Sequence, residues 1–504
     1  MSVLERLGFG PEGRGPFGGK SVVNLRPVLR VEGRLMLVLA AAQLLPAVVA
    51  FSFGERGDAA AFAGAAAVTA ACGGLMAWLG NKGEVELYRR EGILVVVAGW
   101  MLASAFGALP YLFSGALTSP IDALFESASG FTTTGATVFL DIAGQGRGIL
   151  FWRSFTQWLG GMGIIVLFVA LLPELGPGAR FLYKLEVPGP TAEALRPRIH
   201  DTAAILWQIY LMLTVAETVL LTLCGLSVYD ALTHTFSTLS TGGFSPLNES
   251  TAAFGPLVHV VIVVFMVLAG GNFSLYYGLR KRRGWNLLRD SEFRIYLGII
   301  AAASLVISVN LVLTDTYTIG FQVLLDALFQ VASVITTTGF ATANFETWPA
   351  FSRMLLVILM FIGGCAGSTA GSMKVMRVVV GMKSAFREMR QNFSPNTVAA
   401  VFVGGKAVPD QVVRSVTGFF VLFLASWGLG ALLLTLDGNS LVTAATASIA
   451  TLGNIGPGLE AVGPIENYAF FSGRDKGLMV VLMWLGRLEV YSIAALLSLR
   501  FWKR

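Results

Sequence analysis

Charge is scarce in this chain. Of 504 residues only 13% are charged and 3 are histidine, whereas 55% are hydrophobic and the mean hydropathy is +0.70. A soluble protein of this size carries roughly a quarter charged residues. A cytosolic enzyme, a secreted domain and a disordered chain are therefore excluded, and an integral membrane protein remains. Cysteine is scarce too: Cys72, Cys224 and Cys365 all fall in apolar stretches, so no disulfide framework is implied. His200 and His259 lack metal-ligand spacing, and His234 is expected to be packed or hydrogen-bonded rather than a ligand. No Ser/His/Asp or Cys/His set can be assembled, so the chain is not read as an enzyme. The net charge of +6 fits basic loops on one membrane side rather than nucleic-acid binding.

What is abundant is glycine, 58 residues of it, and long apolar runs. A membrane helix needs about 20 mostly apolar residues. Ten runs qualify, near 33–53, 59–80, 92–113, 151–172, 203–226, 254–278, 294–313, 351–382, 413–436 and 477–499. The first lacks a cleavage site before the next run and is read as a retained span. Residues 1–30 are Gly/Pro-rich and basic, and are expected to be loose. With the N-terminus inside and the spans alternating, inner segments hold 29 Lys and Arg and outer ones 6, with Arg487 alone inside a span. That bias predicts cytoplasmic N- and C-termini.

The outer connections resemble one another. Asp122 leads to Thr132-Thr133-Thr134-Gly135, Asp230 to Ser240-Thr241-Gly242-Gly243, and Asp326 to Thr336-Thr337-Thr338-Gly339. The fourth is read from Ser440 to Ala450-Thr451-Leu452-Gly453. Each closing glycine stands 13 positions after the start, and successive ones are 108, 96 and 114 apart. The unit is a helix, a re-entrant half-helix, an extended loop and a second helix. This predicts an all-α membrane protein of four pseudo-symmetric helix–pore-loop–helix repeats around one pore, plus two N-terminal transmembrane helices. The division reads 1–91 for the N-terminus and extra helices, then 92–199, 200–293, 294–406 and 407–504 for repeats 1 to 4. The second helices carry Gly160-Gly161, Gly270-Gly271, Gly363-Gly364 and, in the fourth, Gly486-Arg487.

Non-helical backbone at membrane depth is tolerated where it is covered by protein or lines water. Four short helices around one axis would aim the negative ends of their dipoles at its centre. Glycine opens φ angles that let successive carbonyls face the same way. Rings of such oxygens can replace a cation's hydration shell. The loops lack the carboxylate cluster that Ca²⁺ would favour, so a monovalent cation is expected. Asp122, Asp230 and Asp326 are assigned as N-caps of the half-helices, with negative potential at the entrance, shared with Glu126, as the second reading.

The four loops, with Trp152-Arg-Ser-Phe-Thr-Gln-Trp-Leu-Gly-Gly-Met-Gly163 and Gly363-Gly-Cys-Ala-Gly-Ser-Thr-Ala-Gly-Ser-Met-Lys374, resemble the TrkH/KtrB/HKT superfamily of potassium transporters over about 34–504. The two extra spans make the TrkH branch the closer likeness. The resemblance implies a channel-like K⁺-uptake subunit, a homodimer in the bacterial inner membrane among lipid, with K⁺ as the transported ion. It also implies a TrkA-like cytosolic ring whose nucleotide is bound on that partner alone. In the superfamily, glycine at all four closing positions goes with K⁺, and Ser in the first loop goes with Na⁺ in some plant relatives. The resemblance therefore makes Gly135, Gly243, Gly339 and Gly453 the K⁺-selecting set. Leu452 makes the fourfold symmetry approximate.

The eighth span cannot be one straight helix. Gly363, Gly364, Gly367 and Gly371, with Ser368, Thr369 and Ser372, interrupt it, and each glycine costs about 1 kcal/mol of helix propensity. In the family this segment is the gate loop. Arg487 costs about 2.5–3.5 kcal/mol at a helix centre. It is expected to hydrogen-bond gate-loop carbonyls and raise a barrier to cations, with an ion pair to Glu217 as the alternative. Proton- or Na⁺-coupled symport and a weakly selective K⁺/Na⁺ pathway stay open as rival functions. The basic run Arg280-Lys-Arg-Arg283 suits anionic lipid or an acidic partner.

Overall fold

The computed structural model describes residues 24–81, 89–163, 199–280, 286–394 and 400–502. The N-terminal 1–23, most of the loop after the fourth run and the basic run 281–283 lie outside the described residues. Among the described residues six helices are long and apolar enough to cross a membrane: α1 (Leu25–Ser52), α2 (Arg56–Gly80), α3 (Arg89–Gly107), α6 (Ile199–Leu223), α10 (Ser291–Leu313) and α14 (Asp410–Leu434). The chain is an all-α multi-pass membrane protein.

α1 and α2 form a hairpin whose backbones touch. A Cβ placed on Gly33 would land on the Ala77 amide, and one on Gly80 would land on the Arg30 amide. Such contact is open only to glycine, and dispersion between apposed backbones takes the place of a hydrophobic drive in lipid. Glu55, at the turn of the hairpin, accepts from the amides of Arg147 (2.7 Å) and Gly148 (3.0 Å). These are orphan donors at the start of α5 (Arg147–Gly161). The extra hairpin is thereby clamped to the first repeat.

The other four long helices each open a repeat. After α3, α6, α10 and α14 come the short helices α4 (Pro120–Phe131), α7 (Val228–Leu239), α11 (Phe321–Ile335) and α15 (Leu441–Leu452). At 1.5 Å per residue a helix of about 12 residues is ~18 Å long, far short of the ~30 Å hydrocarbon core. The second helices are α5, α8 (Pro256–Ala269), α12 (Ala350–Ile362) and α16 (Gly473–Arg487). Each packs on the half-helix of its own repeat and on that of the next: α5 on α7, α8 on α11, α12 on α15, and α16 back on α4. The four repeats therefore close into a ring about one axis.

The sequence predicts a break only in the eighth span, but all four second helices stop short. α5 ends at Gly161, with Gly163 at φ +68°. α8 resumes as α9 (Phe273–Arg280), α12 as α13 (Val375–Phe393) and α16 as α17 (Tyr491–Leu497). The cause is close approach to the half-helix tips. A Cβ on Gly160 would land on the Phe131 carbonyl, and one on Gly486 on the Leu452 carbonyl. Between α13 and α14 a hairpin of β1 (Val401–Val403) and β2 (Lys406–Val408) pairs Val401 with Val408.

Candidate functional site

All four half-helices end in one motif. The residue after each tip has helical φ: Thr132 −74°, Ser240 −75°, Thr336 −79° and Gly453 −79°. The next is left-handed: Thr133 +57°, Thr241 +56°, Thr337 +58° and Asn454 +54°. Two positions on stands a positive-φ glycine: Gly135 +82°, Gly243 +75°, Gly339 +82° and Gly456 +98°. The amides of Thr134, Gly242, Thr338 and Ile455 each reach back to the carbonyl five residues earlier, at 2.8, 2.9, 2.8 and 2.8 Å. Those of Thr133, Thr241, Thr337 and Asn454 reach back three. These are Schellman caps, unusual in that β-branched threonine holds the left-handed position in three of them. The alternating sign of φ lets successive carbonyls turn to one side, while the caps occupy two of the last helical carbonyls; within the second loop the Ser240 carbonyl accepts from Thr241 Oγ1 and the Gly242 carbonyl from Gln157.

This corrects the reading of the fourth loop. Its ring strand is Gly453-Asn454-Ile455-Gly456, three residues later than Ala450-Thr451-Leu452-Gly453. Ala450, Thr451 and Leu452 are the last turn of α15. The physical reason lies at the other end of the helix. Ser440 is an N-cap, accepting from the Thr443 amide (3.1 Å) as Ser227 accepts from the Asp230 amide (3.0 Å). Ser440 therefore corresponds to Ser119 and Ser227, not to Asp122 and Asp230. The caps of α4, α7 and α15 are these serines, and Asp122 and Asp230 sit in the first turn.

The four glycines interlock in order. A Cβ on Gly135 would land on the Gly242 carbonyl oxygen, one on Gly243 on that of Thr338, and one on Gly339 on that of Ile455. One on Gly456 would come 2.8 Å from the Thr134 carbonyl oxygen. Each loop thus rests its glycine against the main chain of the next, and the fourth against the first. A cavity opens above this ring, lined by all four glycines.

The underside of the ring is covered by 363–374 and Arg487. Thr369 donates its hydroxyl to the Leu239 carbonyl (3.1 Å), and the Gly371 amide donates to Thr337 Oγ1 (2.7 Å). A Cβ on Gly371 would land on the Gly453 carbonyl. Arg487 donates to Thr133 Oγ1 (3.3 Å), to the Thr369 carbonyl (3.0 Å), and to the carbonyls of Gly160 and Gly161. All four loops are touched from below. The segment is itself stapled: the Cys365 amide donates to the Gly270 carbonyl (2.8 Å), Ser372 Oγ to the Met360 carbonyl (2.7 Å), and Lys374 Nζ to the Ala370 carbonyl. Glu292 accepts from the Ala366 amide inside the segment and from the Met376 amide just after it, at 2.8 and 3.1 Å. A chamber below is lined by Ser368, Gly371, Lys374, Arg487 and Glu489.

Arg487 hydrogen-bonds the gate-loop carbonyl of Thr369, whereas the Glu217 carboxylate oxygens find no hydrogen-bond partner among the described residues. Glu489 is instead the partner of Arg377, at 2.6 Å. The entrance acids are mostly answered. Asp122 pairs with Lys476 (2.6 Å), and Asp326 accepts from Gln322 and Thr342. At the outer surface, Asn248 and the Gly144 amide hold the Asp141 carboxyl below the usual carboxylate range. His234 is packed, with Nδ1 2.7 Å from the Asp230 carbonyl and Nε2 3.1 Å from Ser245 Oγ.

Three braces escaped sequence reasoning. Glu126 is fully buried and accepts from Arg153 Nε (2.7 Å) and the Val138 amide (2.9 Å). Arg153 also donates to the Ser245 carbonyl (3.0 Å) and lies 4.1 Å from the Phe244 ring centroid. The pair joins the strands leaving the first and second loops. Removing one partner strands the other charge, so Arg153→Met is expected to cost ~3–5 kcal/mol, measured as a lower melting midpoint in detergent. An unchanged midpoint would show that the pair braces nothing. Gln157 clamps the second loop, donating to the Gly242 carbonyl (2.7 Å) and accepting from the Phe244 amide (3.0 Å). Asn454 spans from the fourth loop to Thr134 of the first (3.0 Å).

The TrkH family, described as cation transport protein, matches residues 59–501. The Trk system potassium uptake protein TrkH of Salmonella typhimurium is 37% identical over 485 residues, 95% of this chain and 100% of the relative. That of Halomonas elongata is 38% identical over 486 residues, 96% and 100%. The crystal structure of the potassium transporter TrkH from Vibrio parahaemolyticus superposes with a TM-score of 0.86 at 36% identity, over 95% of this chain and 100% of that one.

Proposed function

The chain belongs to the TrkH family of cation transport proteins, a family of transporters and not of enzymes, and from that premise we propose that it is a channel-like potassium uptake subunit. The observation that carries the reading is the closed cycle in which each loop glycine leans on a carbonyl of the next loop. A ring built this way has no slack for side chains, so the ligands facing the axis are main-chain and threonine oxygens. These are hard donors without net charge, suited to a weakly hydrated monovalent ion. The ion-binding strands are 132–135, 240–243, 336–339 and 453–456. With Gly456 in the fourth place all four closing positions are glycine, the pattern that goes with K⁺ in the superfamily.

The covering from below makes this the shut form. Gly363, Gly364, Gly367, Ser368, Thr369, Gly371 and Ser372 form the gate, and Arg487 locks it while opposing a cation electrostatically. Opening requires the Thr369–Leu239 and Gly371–Thr337 bonds to break together. The relatives' names speak of a Trk system, which suits a subunit with partners: a second copy of itself and a TrkA-like cytosolic ring that binds nucleotide. The basic segments would then face the cytoplasm of a bacterial inner membrane, with both termini inside.

The test is ⁸⁶Rb⁺ uptake into liposomes with K⁺, Na⁺ and Li⁺ as competitors, repeated with Gly135→Ser. The unmodified protein is expected to be blocked by K⁺ well below the Na⁺ concentration needed, and Gly135→Ser to narrow that gap. Na⁺ competing as well as K⁺ in the unmodified protein would end the potassium assignment. A reversal potential set by K⁺ alone is expected, and one that follows pH would move the reading to proton-coupled symport.

A further inference from the structure

The fourth loop departs from the others at its left-handed position, where Asn454 stands in place of threonine. Asn454 is fully buried. Its Nδ2 lies 3.1 Å from the Met483 carbonyl and 3.0 Å from Thr134 Oγ1. A carbonyl only accepts, so the contact with Met483 settles which way the amide faces: its NH₂ group points at both oxygens.

The hydrogens beyond it can be assigned in turn. Thr132 Oγ1 is 2.6 Å from the Ala128 carbonyl, so the Thr132 hydroxyl hydrogen is spent there. Thr134 Oγ1 is 2.8 Å from Thr132 Oγ1, so Thr134 must be the donor of that pair. Its oxygen is then left to accept from Asn454. The result is a one-way chain from Asn454 Nδ2 to Thr134, to Thr132, to the Ala128 carbonyl, with each hydrogen used once. Members of such a chain polarise one another in the same sense. The third loop has the lower part, Thr338 to Thr336 (2.7 Å) to the Ala332 carbonyl (2.7 Å). No described residue supplies an amide at its head.

We propose that Asn454 is a specificity-determining positioning residue. It pins the seam between the fourth and first loops and holds the Thr134 hydroxyl hydrogen on Thr132. This rests on the reading of the four loops as the ion's coordination ring. A hydroxyl free to rotate presents hydrogen as readily as a lone pair, and a seam free to close shortens its oxygen distances to suit a smaller ion. Asn454 prevents both, and so favours K⁺ over Na⁺ at this seam.

The test uses the full chain in liposomes, reading the K⁺ and Na⁺ concentrations that halve ⁸⁶Rb⁺ uptake. Asn454→Gly keeps the left-handed backbone at no cost and removes the head of the chain. Asn454→Asp is isosteric but only accepts, so it pulls the Thr134 hydrogen towards itself and breaks the donation to Thr132. Both are expected to lose K⁺-over-Na⁺ preference by about tenfold, equivalent to ~1.4 kcal/mol, read as the ratio of the two half-blocking concentrations at whatever uptake the variant retains. Because Asn454 acts through the hydroxyl, Asn454→Gly should add no further loss in a Thr134→Val background. A preference unchanged in both single variants would overturn the inference, as would full additivity with Thr134→Val. Equal competition by Na⁺ and K⁺ in the unmodified protein is a different failure, removing the coordination-ring reading and this inference together.

Discussion

Gly456→Ala is expected to lower ⁸⁶Rb⁺ uptake by tenfold or more, and Gly453→Ala to leave it within about threefold. Gly456 has φ +98° and faces the Thr134 carbonyl oxygen, where a Cβ would sit at 2.8 Å. Alanine there meets backbone strain and a main-chain oxygen that cannot rotate aside. A misplacement costing ~1.4 kcal/mol already gives tenfold. Gly453 has φ −79°, ordinary for any residue, and a Cβ there meets its own helical turn and the movable Ile455 side chain. The two substitutions differ by three positions and separate the register seen here from the one read off the sequence. Equal losses at both would return Gly453 to the closing position of the fourth loop.

Arg487→Ala is expected to raise basal flux about tenfold or more in liposomes without any partner. The side chain ties Thr133 to Thr369 and to the carbonyls of Gly160 and Gly161. At an effective dielectric of ~20, a guanidinium ~5 Å from the ion path adds ~3 kcal/mol to the barrier. Alanine removes both the lock and the field. Arg487→Lys keeps the field but cannot reach several oxygens at once from one planar fork, so its flux should fall between the two. Unchanged flux in a monodisperse Arg487→Ala protein would remove the gating role.

Much of this architecture was legible before any coordinates. Hydropathy and the recurring Asp-to-Gly spacing pointed to the repeats, because each half-helix ends in a left-handed turn followed two positions on by a positive-φ glycine. The break at 363–374 was legible because four glycines within ten residues leave a helix no alternative. The breaks at Gly163, Asn272 and Glu489 were hidden, because a glycine pair alone suits close helix packing as well as a tip-to-helix contact. The fourth register was missed because Ser440 was matched to aspartates. Matching it to Ser119 and Ser227, each sixteen positions before a ring glycine, picks out Gly456 at once. The Glu126–Arg153 pair was not legible at all, since its members come from different helices and meet only once the first two loops are in place.

The last seam of the ring joins Thr134 to Asn454, residues 320 apart in the chain. Contacts of such separation form late, since the intervening segment must be ordered first. During synthesis, three repeats enter the bilayer before the fourth leaves the ribosome. Until then Thr134 lacks Asn454 and Gly339 lacks the Ile455 carbonyl, so the ring stands open on the side of the fourth loop. Insertion of α15 and α16 is thus the step that turns a half-built, leak-prone bundle into a sealed one. A stop codon between the third repeat and Gly486 would leave the first three loops without the fourth that closes their ring, rather than a shortened transporter.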